Sequence, residues 1–450
     1  MKHRALLVVA GLTGALALVA SLSVGATGSV GKAPQGRSAA AAIKPPAVAG
    51  AKALKKKYGG QKITFIGDNA VGSSHKRDLL LVARFKKDTG INVKLVPHPA
   101  ASDAAYSQLA RNFSSRSSSI DVMMLDVVWP GAFAPYLVNL KPALGKAAKK
   151  HAAGIIQNDT VGGKLIAMPW FGDFGILYYR TDLLKKYNIS GPPKTWAALG
   201  ADAKKIQAGE RGSNPNFYGF VYQGNAYEGL TCDSLEWVAS VGGGNFIDNG
   251  KVTINNSKAA TILNTVRGWV GTITPRGVTS YQEEDARNAF DSGNAAFMRN
   301  WPYAYSASKG TPVDGKFNVT VLPHGASGHS VGTVGGWQLG VSKFSKHVGA
   351  ATALVAYLTS PAVERFDAIY NTNVPTIPAV ARDRAVVKSN PYLKPEIANV
   401  ARVTRPSRWL KTHYQQGSQI IYQGMNQIEN GQNANSVLPS MASRLKRLVG

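Results

Sequence analysis

Three carboxylates in this 450-residue chain stand beside aromatic residues: Asp126 in MLDVVW, Asp173 in PWFGDFG and Glu228 in AYEGL. The densest setting is Lys164–Arg180, KLIAMPWFGDFGILYYR, where Asp173 lies among Trp170, Phe171, Phe174, Tyr178 and Tyr179. An aromatic face is an apolar floor for the C–H face of a sugar ring. An ionised carboxylate beside it accepts hydroxyl protons in bonds roughly twice as strong as neutral ones. The same residues also suit a buried strand whose Asp caps a turn. Further aromatics, Trp129, Trp301, Tyr303 and Trp337, fall at expected strand ends or loops next to glycine or proline. Gly335–Gly336, just before Trp337, lets backbone approach a ligand closely. Arg408, in PSRW, offers a forked donor for ring and hydroxyl oxygens, although a surface arginine reads the same way. Together these residues describe a polar ligand with apolar faces.

Other chemistries leave no signature. There is no phosphate loop, no HExxH and no GxSxG, and the eight histidines are scattered without metal-ligand spacing. The one cysteine, Cys232, allows no intramolecular disulfide, no cysteine-rich metal site and no lipid anchor, and it is expected to be buried. Neither a metal nor a cofactor is expected. A glycosidase needs two carboxylates across the scissile bond, so a secreted glycoside hydrolase using Asp173 with Asp126 or Glu228 stays open as an alternative.

The elements that would position these residues alternate. A strand at Ile63–Ile66 precedes a helix over Lys76–Asp88, with Leu79, Leu80, Val82, Ala83 and Phe85 on its buried side. Ile91–Val96, a helix over Asp103–Phe113 and the strand Asp121–Leu125 follow. Such alternation predicts mostly parallel sheets covered by helices, with ligands beyond the carboxyl ends of the strands, where Asp126 and Trp129 stand. Later come a helix over Glu283–Ser292, the strand Ala295–Arg299, strands at Phe317–Leu322 and Trp337–Val341, a helix over His347–Thr359, and Ser360–Pro361 as the start of another. These are too many elements for one sheet, and two α/β lobes accommodate them.

Before the first strand, Lys2 and Arg4 precede an apolar run from Ala5 to about Ala26. It reads as a secretory signal peptide over 1–26 or, by its length, as an N-terminal anchor. Residues 27–57 are rich in Ala, Gly, Ser, Pro and Lys and are expected to be a flexible linker. The net charge of +27 comes from basic residues scattered at helix-surface spacing without a nucleic-acid motif, so no nucleic-acid partner is expected. Attraction to an anionic envelope surface, or life in an acidic medium, accounts for it better.

Taken in order, MLDVVWPGAF (124–133), GGKLIAMPWFGDFGILYYRTDLLKKY (162–187), PPKTW (192–196), NPNFYGFVYQGNAYEGLTCDSLEWV (214–238), GNAAFMRNWPYAY (293–305) and TVGGWQLGVSK (333–343) resemble the extracellular solute-binding proteins of ABC sugar importers. The likeness is greatest to the trehalose/maltose-binding branch and runs from about Ile63 to Arg447. It implies a two-lobe receptor of the maltose-binding-protein type, closing by hinge bending on an α-linked disaccharide and docking on a membrane permease as a monomer. The lobes would comprise 58–172 with 305–360, and 173–304 with 361–450. The protein would lie outside the cytoplasmic membrane, in the periplasm or cell envelope, free or N-terminally tethered. By the same resemblance Asp126, Asp173 and Glu228 would accept sugar hydroxyls, and Trp301, Tyr303 and Trp337 would stack on or line the sugar. The Gly336 backbone and Arg408 would donate to it, with Trp129, Trp170 and Phe171 as further wall residues. In the first strand–helix loop, GDNAVGSSHK, Ser73, Ser74 or His75 replaces an acid often found in this branch, and an arginine of the second helix is absent around Ala105–Tyr106. The cargo is therefore expected to be trehalose- or maltose-like without being named. A polyol or a longer oligosaccharide is the alternative within the same receptor.

Overall fold

Ahead of the first strand, the stretch expected to be linker is already ordered. A computed structural model of the chain describes residues 43–68, 73–326 and 328–449, so the expected signal segment lies outside the described residues. Val48 is buried and donates its N–H to Asp88 at 2.9 Å, and the Tyr357 hydroxyl donates to the Pro46 carbonyl at 2.9 Å. Residues Ala51–Tyr58 form helix α1. Its Ala51, Leu54 and Tyr58 pack on the core, an i, i+3, i+7 stripe hidden in a lysine-rich stretch. The expected linker over 27–57 is thus corrected for 43–57.

The first lobe continues with β1 (Lys62–Gly67), α2 (Ser73–Thr89), β2 (Asn92–Pro97), α3 (Ser102–Ser114) and β3 (Val122–Asp126). Helix α2 corrects its expected inner face: Leu79 and Leu80 are exposed, while Leu81, Val82 and Phe85 are buried with Arg77 and Asp78. Arg77 bonds Asp78 at 2.8 Å and Asp367 at 3.1 Å. A charged pair neutralised in this way can occupy the inner face, and the apolar stripe rotates to match. The chain then runs through β4 (Ala167–Phe174) straight into β5 (Ile176–Arg180). The second lobe adds β6 (Tyr218–Val221), α4 (Glu228–Ser240), α5 (Glu283–Asp291), β7 (Ala295–Asn300) and β8 (Phe317–Thr320). The long strand β9 (Val331–Val341) returns to the first sheet, followed by α6 (Val348–Leu358), α7 (Pro361–Tyr370), β10 (Ala401–Val403), α8 (Tyr414–Glu429) and α9 (Ala434–Lys446).

The two sheets are mixed, where mostly parallel ones were expected. In the first, ordered β10-β9-β3-β1-β2 with β4 also on β9, β1 lies parallel to β2 and β3, but β9 is antiparallel to β3 and β4. In the second, ordered β8-β5-β7-β6, only β7 and β6 are parallel. The reason is the chain path: β4 and β9 are crossing strands without the helical crossover that parallel neighbours need. The expected lobe boundaries shift accordingly. Strand β8 belongs to the second sheet, while Val363 and Phe366 of α7 pack in the first lobe's core. Tyr392 and Ile397 are back in the second lobe's core. Among the described residues no helix is long and apolar enough to cross a membrane.

Candidate ligand cleft

A cavity of about 380 Å3 opens at the carboxyl ends of the first sheet's strands, with Asp68, His98 and Asp126 placed by β1, β2 and β3. Strand β4 contributes Phe171 and Asp173, and β9 contributes Gly335, Gly336 and Trp337. The second lobe faces them with Glu228 at the start of α4, Gln282–Asp285 at the start of α5, and Trp301 and Tyr303 just after β7. Helix α5 begins here because Gln282 and Asp285 form a reciprocal capping box, which turns its acidic first turn toward the cleft.

Two glycines make the crossing possible. A Cβ on Gly175, the single residue between β4 and β5, would lie 1.9 Å from Glu236 Oε1 and 2.6 Å from Arg299 Nη2. Gly336 has φ +121°, and a Cβ there would stand 2.7 Å from the Phe171 carbonyl oxygen.

Beneath the surface lie three buried arginines, each held by more than one acid. Arg77, bonded to Asp78 and Asp367, has its guanidinium 4.4 Å from the Trp170 ring centroid and 5.3 Å from that of Phe171. Arg299 meets Glu236 at 2.6 Å and Asp233 at 2.9 Å and lies 3.9 Å under the Trp301 ring. Arg405 joins the lobes: it donates to Asp126 at 2.6 and 3.1 Å and to Glu228 at 2.7 Å. Glu228 also accepts from the Tyr414 hydroxyl and, at 2.6 Å, from Ser418. Burial pushes its carboxyl up to about 7, opposed by Arg405 and assisted by Asp126. One cation serving two acids leaves the second proton easy to hold.

Asp173 differs from these clamped acids. Its Oδ1 is buried, with no hydrogen-bond partner among the described residues. Burial, and next the nearby Asp68, hold its carboxyl well above the usual carboxylate range against the pull of Arg299. Burial lowers the His98 imidazole, with Asp68 opposing, so at neutral pH it is a neutral ring. It lies 4.9 Å from the Trp337 ring, which Trp129 meets edge-on at 5.7 Å. Trp301 donates its indole N–H to Glu283 at 3.3 Å, and Tyr303 its hydroxyl to Glu284 at 2.6 Å.

Of the residues singled out in the sequence, Asp126, Asp173, Glu228, Trp301, Tyr303, Gly336, Trp337 and Phe171 meet in the cavity. Arg408 does not: it is exposed, with its guanidinium 5.2 Å from the Trp409 ring, and Arg405, three residues earlier, takes the buried position. Trp129 and Trp170 are fully buried and support the wall from behind. Ser74 is buried against Asn371, from which it accepts at 3.0 Å, and the Ser73 side chain lies outside the described residues. Asp68, His98 and Glu283 were not anticipated. The strand-end rule that marked Asp126 applies equally to Asp68 and His98, the first residues after β1 and β2. The first strand–helix loop therefore does carry an acid into the cleft, from its first position. Among the described residues no group of three or more His, Cys, Asp and Glu is placed to hold a metal ion.

Comparison with known proteins bears on the family and the fold. The sequence pattern of the bacterial extracellular solute-binding protein family matches residues 72–365. A probable ABC transporter-binding protein of Deinococcus radiodurans is 52% identical over 295 residues, 65% of this chain and 70% of that protein. Maltose-bound MalE3 of T. maritima superimposes with a TM-score of 0.80 at 34% identity, over 86% of this chain and all of that one. The GacH receptor of Streptomyces glaucescens, at 23% identity and a TM-score of 0.75 over 86% of this chain and 98% of its own, shares the fold. The family is one of transport receptors, which overturns the hydrolase alternative for Asp126, Asp173 and Glu228. With its two-lobe fold, its cleft and this likeness in sequence, the chain belongs to the bacterial extracellular solute-binding proteins and is a solute-binding receptor, not an enzyme.

Proposed function

We propose that the protein captures an α-linked disaccharide of the maltose or trehalose type and delivers it to an ABC import permease. The observation that carries this reading is the Asp173 Oδ1 acceptor, buried without a partner among the described residues, in the cavity that Trp301 also lines. Gly335 is the register partner of Asp173 in β9, and a Cβ there would stand 3.1 Å from the Trp301 ring. A bare backbone, an open acceptor and an aromatic face thus converge on one point, as a pyranose with its hydroxyl edge and C–H face requires. The cavity is at the small end of the roughly 300–1,000 Å3 typical of ligand sites, which favours a disaccharide over a long maltodextrin. The relatives support the class: MalE3 was solved with maltose and GacH with acarbose. Closure would bring the α5 acids and Trp301 onto a sugar already held by Asp126 and Trp337, a closed state selected by contacts to both lobes. Export across the cytoplasmic membrane and action as a monomer belong to the same proposal.

Titration calorimetry with maltose, trehalose, ribitol and an amino acid tests it. A disaccharide should bind, and Trp301→Ala and Asp173→Asn should each weaken it by about 2 kcal/mol or more, roughly thirtyfold. Tight binding of ribitol or the amino acid, with neither disaccharide bound, would overturn the assignment.

A further inference from the structure

One group of the otherwise scattered basic residues lies together, away from the cleft. The first acid is Asp68, so residues 1–67 carry lysines and arginines alone. On α1, Ala51, Leu54 and Tyr58 face the core, while Lys52, Lys55, Lys56 and Lys57 are all exposed. The neighbouring surface repeats the pattern. Lys86 and Lys87 end α2, and Lys62 and Lys94 project from β1 and β2; all four are exposed. The surfaces are contiguous. The Gly60 N–H donates to the Gly90 carbonyl just past α2, a Cβ on Gly90 would stand 3.8 Å from Lys55 Cγ, and Lys62, Lys86 and Lys94 line one shallow depression.

None of these eight lysines forms an ion pair among the described residues. The acid closest in sequence, Asp88, is bound to Arg84 at 2.8 Å and to the Val48 N–H. Lysine is favoured at a helix C-terminus by the helix dipole, which accounts for one or two residues on each helix but not for Lys62 and Lys94 on strands. The face also lies at the amino ends of β1 and β2, whereas the cavity lies at their carboxyl ends. Six residues of strand, about 20 Å, separate Lys62 from Asp68.

We propose that this lysine face is a docking surface for an anionic lipid membrane, leaving the cleft open while the receptor rests on the bilayer. The argument is charge complementarity. The face carries lysines spread over helix and strand, and the arginine of α2 beside them, Arg84, is taken up by Asp88, so it suits a diffuse sheet of negative headgroups more than a single phosphate held in a fork. The chain leading into α1 continues the same sign, with Lys32, Arg37 and Lys44 and no carboxylate.

The test uses a chain starting at Thr27, which lacks the apolar N-terminal run but keeps the whole compact unit from Ala39 onward. It is sedimented with phosphatidylcholine vesicles, with and without about one-third phosphatidylglycerol. Binding should require the anionic lipid and fall steeply as salt shortens the screening length from about 10 Å at 0.1 M to 3 Å at 1 M. K52Q/K55Q/K56Q/K57Q should lose about fivefold per lysine, a hundredfold or more in all, with unchanged melting temperature. K185Q/K204Q/K205Q/K251Q removes the same charge from the second lobe and should leave binding within about threefold. Equal losses in the two variants would show that only net charge matters and would overturn the proposal. So would indifference to the lipid's charge, or binding to soluble polyphosphate tighter than to the vesicles.

Discussion

Replacing Arg405 with methionine removes the one cation that Asp126 and Glu228 share. The guanidinium is buried, with bonds of 2.6 and 3.1 Å to one acid and 2.7 Å to the other. Breaking a buried ion pair from one side costs about 3–5 kcal/mol, and two orphaned acids place this case in the upper half. Unfolding entropy near 2.1 cal/mol/K per residue over roughly 400 ordered residues makes about 0.85 kcal/mol/K, so Tm should fall by about 5 °C. The loss must also depend on pH. Glu228 already holds its proton up to about 7, against an ordinary 4.5. The folded chain therefore binds this proton more tightly than the unfolded one. The resulting stability is fully present below about pH 4.5 and is lost as pH rises through 7. Without Arg405 that window extends upward, because burial and Asp126 then act unopposed. Scanning calorimetry should show a larger deficit at pH 8 than at pH 5.5, and R405M/E228Q should recover part of it by removing one orphan charge. A shift below about 1 °C, or equal shifts at both pH values, would refute the shared-cation account.

Gly175→Ala forces a methyl against Glu236 and Arg299, with 1.9 Å to the nearest oxygen. It should cost about 2 kcal/mol or more, read as a lower urea midpoint; an unchanged midpoint would mean that the crossing tolerates a side chain. Arg408→Ala, on the exposed side of its short helix, should change disaccharide affinity by less than threefold in the same calorimeter that shows thirtyfold for Trp301→Ala. A loss comparable to Trp301→Ala would bring Arg408 back to the ligand. Because the Asp173 carboxyl is held well above its usual range, a sugar hydroxyl donating to it favours the ionised form and lowers its pKa on binding. Affinity should then rise with pH through the free-state value and level off, with protons released to the buffer. Calorimetry in two buffers of different ionisation enthalpy measures that release, and proton uptake instead would exclude Asp173 as an acceptor.

Much of the cleft was legible because strand geometry is local. The strand-end rule located Asp126 and reaches Asp68 and His98 without further information. Strand alternation could have sorted β4 as well: Phe171 and Asp173, two residues apart, share the cleft face, and Trp170, one residue before Phe171, points to the opposite side, into the core. Reading every aromatic beside glycine or proline as ligand-facing overlooked that period. The Arg408 assignment shows a different limit. Arg402, Arg405 and Arg408 recur every third residue, and nothing within ten residues tells them apart. What selects Arg405 is a pair of carboxylates 279 and 177 residues away in sequence, so the choice is tertiary. The same holds for α2, whose inner face is set by Asp367 taking up Arg77, 290 residues earlier.

These long-range ion pairs have a common placement that bears on function. Arg77 lies under Trp170 and Phe171 in the first lobe, Arg299 lies under Trp301 in the second, and Arg405 ties Asp126 to Glu228 between them. In each case the guanidinium is held by at least two acids from below and backs a wall above, so the wall's aromatic faces and carboxylates are fixed before any ligand arrives. Among the acids lining the cleft Asp173 is the exception, with an acceptor that none of the described residues fills. A cleft that was all clamp would have nothing to exchange with a solute, and one that was all open acceptors would be unstable empty. The division between three acid-held arginines and one open carboxylate is what lets the cleft stay folded while unoccupied and still reward closure with a new bond.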